Sequence, residues 1–206
     1  MSRCVRLDSS LGARDHGLRS GAMASVEMHS LEPSGRRPSL TEYVVLALVG
    51  EHPVHGFGVA RLVGPGALLG EIFRIRRPIV YRALERLLDA DLVQVDAVQP
   101  SPAGPQRTRY RITPEGREAL DTWLAMPVAH IRDIRTELLV KLVLLERSGR
   151  DIGPLVREQR ETLSPIVAAL REGDPGTGPD RVVRSWRRQS SQAALRFLDE
   201  LDGFES

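Results

Sequence analysis

The 206-residue chain is 41% hydrophobic, 27% charged and only 4% aromatic, enough apolar content to bury the core of one ordinary domain or two small ones. It has no apolar run long enough to cross a bilayer as a helix, and its one cysteine, Cys4, excludes an intramolecular disulfide and fits a reducing compartment. The formal charge of +2 conceals 28 arginines against a single lysine, Lys141; guanidinium forks suit phosphates and base edges, although a GC-rich genome would also favour arginine codons.

Residues 1–38 scatter Gly, Ser, Arg and Pro without a helical or strand period, which reads as a disordered arm or, if Met23 or Met28 is the true start, as no part of the protein. The arm has no apolar stretch of signal-peptide length, so the expected location is cytoplasmic. Ser39-Leu40-Thr41-Glu42 then matches a capping box, in which hydroxyl and carboxylate satisfy reciprocal backbone N–H groups at a helix start. Tyr43, Val44, Ala47 and Leu48 follow at helical spacing, to an end near Gly50. A short helix fits 56–63, between the turn His52-Pro53-Val54-His55 and the breaker Gly64-Pro65-Gly66. A partial turn from Leu68 leads into Ile72-Phe73-Arg74-Ile75, expected as a short strand or extended connector.

Pro78 suits the first turn of a helix, where its missing N–H is no loss, and predicts a third helix from there to about Ala90. Val80, Ala83, Leu84, Leu87 and Leu88 make one apolar stripe, with Arg82 nearly opposite and Tyr81 on the flank. Strands are expected at 92–98 and 108–112, joined by a Pro, Ser and Gly-rich loop. In the second, Thr108, Tyr110 and Ile112 alternate with Arg107, Arg109 and Arg111, which face outward. Thr113-Pro114-Glu115 caps the next helix, carrying Leu120 and Leu124. The remainder is amphipathic: Ile134, Leu138, Leu142 and Leu145 mark one helix, and Leu155, Leu163, Ile166 and Leu170 a longer one that Pro165 should kink or break. A flexible connector at 173–180 precedes a last helix with Val183, Trp186, Ala193, Phe197 and Leu201.

Charge is uneven along this order. Residues 71–111 hold eight arginines against five acids, whereas residues 112–206 hold 14 basic residues against 16 acids. Three helices followed by a basic two-stranded hairpin is the order of a winged helix-turn-helix, in which the third helix enters a major groove about 12 Å wide and the hairpin follows the backbone. The fold class expected is therefore mainly α: a winged helix-turn-helix domain at 39–113 and an all-α dimerisation region at 114–206.

Over roughly residues 40–200 the pattern resembles the PadR family of bacterial transcriptional regulators. LALVGEHPVHGFGVARL at 46–62 places His55-Gly56-Phe57 where the family has His-Gly-Tyr. PIVYRALERLLDADLV at 78–93 resembles its T-V-Y-x-A-L core and E-G-L-V, and YRITPEGREAL at 110–120 its Y-x-L-T-x-x-G-x-x-x-L. The resemblance implies a homodimeric repressor-type regulator that pairs through its C-terminal helices. In some members a phenolic or drug-like molecule at the dimer interface releases the DNA. Arg76-Arg77 departs from the family's small or polar residues, and Ala90-Asp91 from its glycine near the helix end.

The partners expected are operator DNA, a second copy and a small hydrophobic effector, with no membrane. Arg74, Arg76, Arg77, Tyr81, Arg82, Arg86, Arg107 and Arg109 are the candidate DNA contacts, although a solvated helix face with Glu85 and Asp89 as ion partners explains some of them equally. Trp123 and Trp186 are candidates for an effector or dimer interface, or for core packing. His52 and His55 have no Cys, Asp or Glu completing a zinc set, and Gly64, Gly66 and Gly70 match no nucleotide loop. No cofactor and no enzymatic activity are expected. The alternative is a winged-helix module that docks proteins without specific DNA binding.

Overall fold

The computed structural model describes residues 36–99, 107–174 and 176–203. The expected arm, apart from residues 36–38, and the loop 100–106 lie outside the described residues. Residues Gly35–Ser206 form one compact unit.

Helix α1, Leu40–Glu51, begins as its sequence predicts: Ser39 Oγ accepts from the Glu42 N–H, and the Glu42 carboxylate accepts from the Ser39 N–H. It is almost wholly buried and forms the centre of the domain, packed on the later helices. Next come strand β1, Val54–His55, and helices α2, Gly56–Leu62, and α3, Leu68–Ile72. The turn expected at 52–55 contains β1, two residues that pair with a strand more than fifty positions away. So short a strand has no periodicity to betray it. Ile72 closes α3, and no strand forms at 72–75.

Helix α4, Arg77–Asp89, has Pro78 in its first turn and buries Val80, Ala83, Leu84 and Leu87. Its end is a Schellman motif, with Leu92 N–H donating to Leu87 O at 2.9 Å and Asp91 N–H to Leu88 O at 3.0 Å. Asp91, with φ of 56°, takes the left-handed position that glycine most often fills at a helix end. Aspartate is among the few L residues that tolerate this region.

Strands β2, Val93–Gln99, and β3, Arg107–Ile112, form the wing hairpin, and β1 joins it in the antiparallel order β1-β3-β2. Helix α5, Pro114–Ala125, follows, with Thr113 Oγ1 accepting from the Gly116 N–H at 3.0 Å. A Cβ at Gly116 would lie 2.0 Å from Leu92 O, so only glycine lets α5 pass this close to the wing.

The chain continues through α6, Ile131–Asp133, a π-helical turn at Ile134–Leu138, and α7, Leu139–Arg147, then α8, Gly153–Glu172, and α9, Gly178–Gly203. Ile134, Leu138, Leu142 and Leu145 are buried as expected. Pro165 does not break α8, which runs unbroken through it. The residue is exposed, so the carbonyl left without its usual N–H partner is on the side of the helix that water can reach. The last helix departs from its predicted stripe: Ser191, Ala194 and Leu198 are its buried positions, while Val183, Trp186 and Ala193 are exposed and Phe197 and Leu201 are half-buried. One apolar core extends from α1 to α9 across the boundary expected at residue 113. Among the described residues no helix is long and apolar enough to cross a membrane.

Candidate nucleic-acid interface

The connector after α3 and helix α4 carry four exposed arginines. Arg74 lies in the connector, Arg76 is the extended residue that caps α4, Arg77 opens it and Arg82 stands one and a half turns on; all four are exposed. Among the described residues no carboxylate pairs with any of them. No side chain caps the start of α4, so its positive dipole end adds to the same field. The surface can hold a line of anionic oxygens.

Arg77 is further organised by aromatic rings. Its guanidinium carbon lies 5.1 Å from the ring centre of Phe57 and 5.7 Å from that of Tyr81, within cation–π range of both. Tyr81 is half-buried and packs against Gly56, where a Cβ would approach its ring to 2.8 Å. Its place is thus a packing position that also faces Arg77. Phe57 has 53% of its surface exposed, a large ring whose recorded contact is Arg77. The sequence pattern marked its position in the His-Gly-Phe triplet but not this contact.

Two of the sequence-derived candidates are engaged within the chain. Arg86 donates to Glu42 Oε1 at 3.2 Å, tying α4 to α1, and Arg36 donates to both oxygens of the same carboxylate at 2.8 and 2.9 Å. Burial pushes the Glu42 carboxyl upward, but the Ser39 N–H, Arg86 and Arg36 outweigh it and hold the carboxyl below its usual range. A carboxyl so depressed contributes stability that is present above its unfolded pKa and is lost as pH falls through the folded one. Urea unfolding of wild type and Glu42→Gln is therefore expected to show a stability gap near neutral pH that closes as the solution is acidified below the usual carboxylate range. A gap that does not change with pH contradicts this.

Arg109 donates to Asp96 at 2.5 Å, and Arg111 lies 4.0 Å from the other oxygen of that carboxylate. Asp96 reaches them because it is the extra residue of a bulge in β2, where Val95 pairs with Tyr110 and Ala97 already with Arg109. A bulge re-aims a side chain in this way. Arg107, at the start of β3, is exposed.

The two tryptophans differ. Trp123 is buried, its ring stacked on Tyr43 at 4.6 Å between centroids and 3° between planes. Its Nε1–H donates to Glu137 at 3.0 Å, and the Lys141 ammonium sits 4.9 Å over its ring. Lys141 is itself buried, donates to Met126 O at 2.7 Å and pairs with Glu137 at 3.0 Å. Burial lowers its pKa, and Glu137 offsets part of that shift. Trp186 is the reverse, 73% exposed beside exposed Val182 and Val183 on α9. Among the described residues no group of His, Cys, Asp and Glu is arranged to hold a metal ion.

Comparison with known proteins gives a family and several distant structural neighbours. Crystal structures of Bacillus subtilis PadR align at 16% identity with operator DNA, covering 78% of this chain and 97% of that one at a TM-score of 0.41, and at 15% with p-coumaric acid, covering 83% and 98% at 0.37. The structure of smu.1604c from Streptococcus mutans UA159 aligns at 15% identity, covering 77% and 96% at 0.39. No curated protein matches the chain. The model of the transcriptional regulator PadR-like family matches residues 45–122. Over that segment, from within α1 to within α5, the chain is similar to the PadR-like family of transcriptional regulators.

Proposed function

We propose that the chain is a DNA-binding transcriptional regulator of the PadR type, with α4 entering the major groove and the β2–β3 wing lying along the backbone. The observation that carries this reading is the exposed set Arg74, Arg76, Arg77 and Arg82, without carboxylate partners among the described residues, on and before the third main helix of a winged helix-turn-helix. Arg74, Arg76 and Arg77 meet phosphates, Arg82 meets base edges, and Arg107 follows the wing. Arg86 and Arg109 act from behind as struts, through Glu42 and Asp96. The direct test is titration of a duplex from the promoter of the chain's own operon. Retention of that duplex in preference to an unrelated one is expected; equal affinity for both favours the protein-docking alternative.

Phe57 positions Arg77 in this reading. Phe57→Ala is expected to weaken duplex binding about two- to fivefold, the range for loss of an exposed cation–π contact, while Phe57→Trp keeps the affinity. An unchanged affinity in the alanine variant contradicts the role.

The chain acts as a homodimer in the same proposal, pairing through the C-terminal helices and placing two winged domains about 34–36 Å apart, one turn of DNA. Exposed Val182, Val183 and Trp186 support this, because an apolar group on the outside of a helix is characteristic of an interface. Trp186→Asp is expected to convert a dimer into a folded monomer in sedimentation velocity; a variant that still sediments as a dimer places the interface elsewhere. Release by a small hydrophobic effector belongs to this reading as well. Trp123 is committed to its own core, which leaves Trp186 as the tryptophan open to a ligand or a partner.

A further inference from the structure

Sequence alone marks Glu85 and Asp89 as ion partners for the arginines of α4, and the structure uses neither in that way. Arg86 pairs with Glu42 instead, and Arg82 has no carboxylate within ion-pair distance among the described residues. Glu85 is exposed in the third turn of α4, and among the described residues it makes no hydrogen bond or ion pair. Its charge is felt at the Tyr110 hydroxyl of β3, whose pKa is raised first by burial and, after Tyr81, by Glu85. A neutral phenol does not offset a carboxylate.

Helix geometry sets Glu85 beside Arg82. At about 100° and ~1.5 Å per residue, the two lie about 60° apart around the axis and ~4.5 Å apart along it. Both point away from the stripe of Val80, Ala83, Leu84 and Leu87 that faces the core. Base pairs stack about 3.4 Å apart, so the two side chains reach positions one or two steps from each other.

A carboxylate on that face meets a duplex whose phosphates are negative and whose major-groove edges are rich in acceptors. Guanine N7 and O6, thymine O4 and adenine N7 repel it, and only the amino groups of cytosine N4 and adenine N6 donate. Adenine sets its N7 beside its N6, whereas the cytosine edge has no acceptor of its own. The carboxylate thus has one well-matched base and opposes binding everywhere else.

We propose that Glu85 reads a cytosine, accepting from its N4 amino group one or two base pairs from the position that Arg82 reads, and that its charge disfavours every other base there. The assignment rests on the DNA reading above. Arginines alone attract any duplex; an unpaired carboxylate among them lowers general affinity and sharpens discrimination.

The test uses full-length protein, promoter duplexes from the chain's own operon with each base pair replaced in turn, and one unrelated duplex, titrated by fluorescence anisotropy. In wild type, one position within two base pairs of that lost by Arg82→Ala is expected to demand cytosine, a replacement weakening binding about 5- to 150-fold. Glu85→Ala, at an exposed position where alanine favours the helix, is expected to tolerate all four bases there and to keep the other preferences. It is also expected to bind the unrelated duplex about two- to threefold more tightly, because a charge facing phosphates is gone. Glu85→Gln is expected to shift the position toward adenine, whose N6 and N7 a glutamine amide meets with both its groups. Asp89→Asn removes a like charge from the same helix and is expected to keep the cytosine preference.

A cytosine preference that survives in Glu85→Ala, or promoter and unrelated duplexes that shift by the same factor, overturns the assignment. Loss of that preference in Asp89→Asn, with Glu85→Ala retaining it, overturns it in favour of Asp89. A wild type that binds promoter and unrelated duplexes alike overturns the DNA reading itself, and the assignment with it.

Discussion

Replacing Trp123 by alanine is expected to cost about 3 to 5 kcal/mol of folding stability, the range for emptying a buried aromatic site. The ring is 7% exposed and lies between three elements: Tyr43 of α1 stacks on it, Glu137 of the π-helical turn takes its N–H, and Lys141 of α7 covers its face. Alanine removes the apolar contact and leaves Glu137 and Lys141 as an ion pair beside a void. A buried pair of that kind depends on every contact around it. Trp123→Phe keeps the stack and loses only the hydrogen bond, so it should recover more than half of the loss. Urea unfolding followed by far-UV circular dichroism measures both. A loss below about 1 kcal/mol for the alanine variant means that the ring does not join α1 to α7.

Arg82→Ala is expected to weaken specific duplex binding by about 1 to 3 kcal/mol, roughly five- to 150-fold, the range for a lost bidentate base contact. Arg82 stands opposite the buried stripe of α4, is exposed, and has no acidic partner among the described residues, so alanine should leave the fold intact. The loss should fall on the promoter duplex and much less on an unrelated one, because base contacts specify while phosphate contacts hold. Arg76→Ala should instead weaken both duplexes alike. Equal losses on the two duplexes for Arg82→Ala place this residue on the backbone.

Much of the winged domain was legible because its determinants are local. The Ser39 to Glu42 capping box spans four residues, Pro78 marks the first turn of its own helix, and the stripe from Val80 to Leu87 repeats within thirteen positions. The matched family pattern runs through the same stretch. What the sequence hid depends on distant partners. Arg86 looks like one more surface arginine until Glu42, 44 positions earlier, is placed beside it. Arg109 keeps the alternation expected along β3, and what the sequence hid is its partner, because the bulge that aims Asp96 at it lies in β2.

The C-terminal helices show a second limit. A period of apolar residues reveals that a face exists, without saying what covers it. On α9 the small residues Ser191 and Ala194 are buried together with Leu198, while Trp186 is exposed. Close helix packing selects small side chains, so the buried face carries the weaker hydrophobic signal. Pro165 misled in the same way, since a rule about helix interiors holds less strictly where the freed carbonyl faces water.

The account depends on the arginines before and along α4 lying against a duplex, and the salt dependence of binding measures that most directly. Each phosphate contact adds about 0.9 to the slope of log affinity against log salt concentration. Replacing Arg74, Arg76 and Arg77 together by alanine is expected to reduce that slope by about 2 to 3 on any duplex, with the α9 variant Arg184→Ala, in the same assay, leaving it unchanged. A triple variant whose slope equals that of wild type contradicts the account.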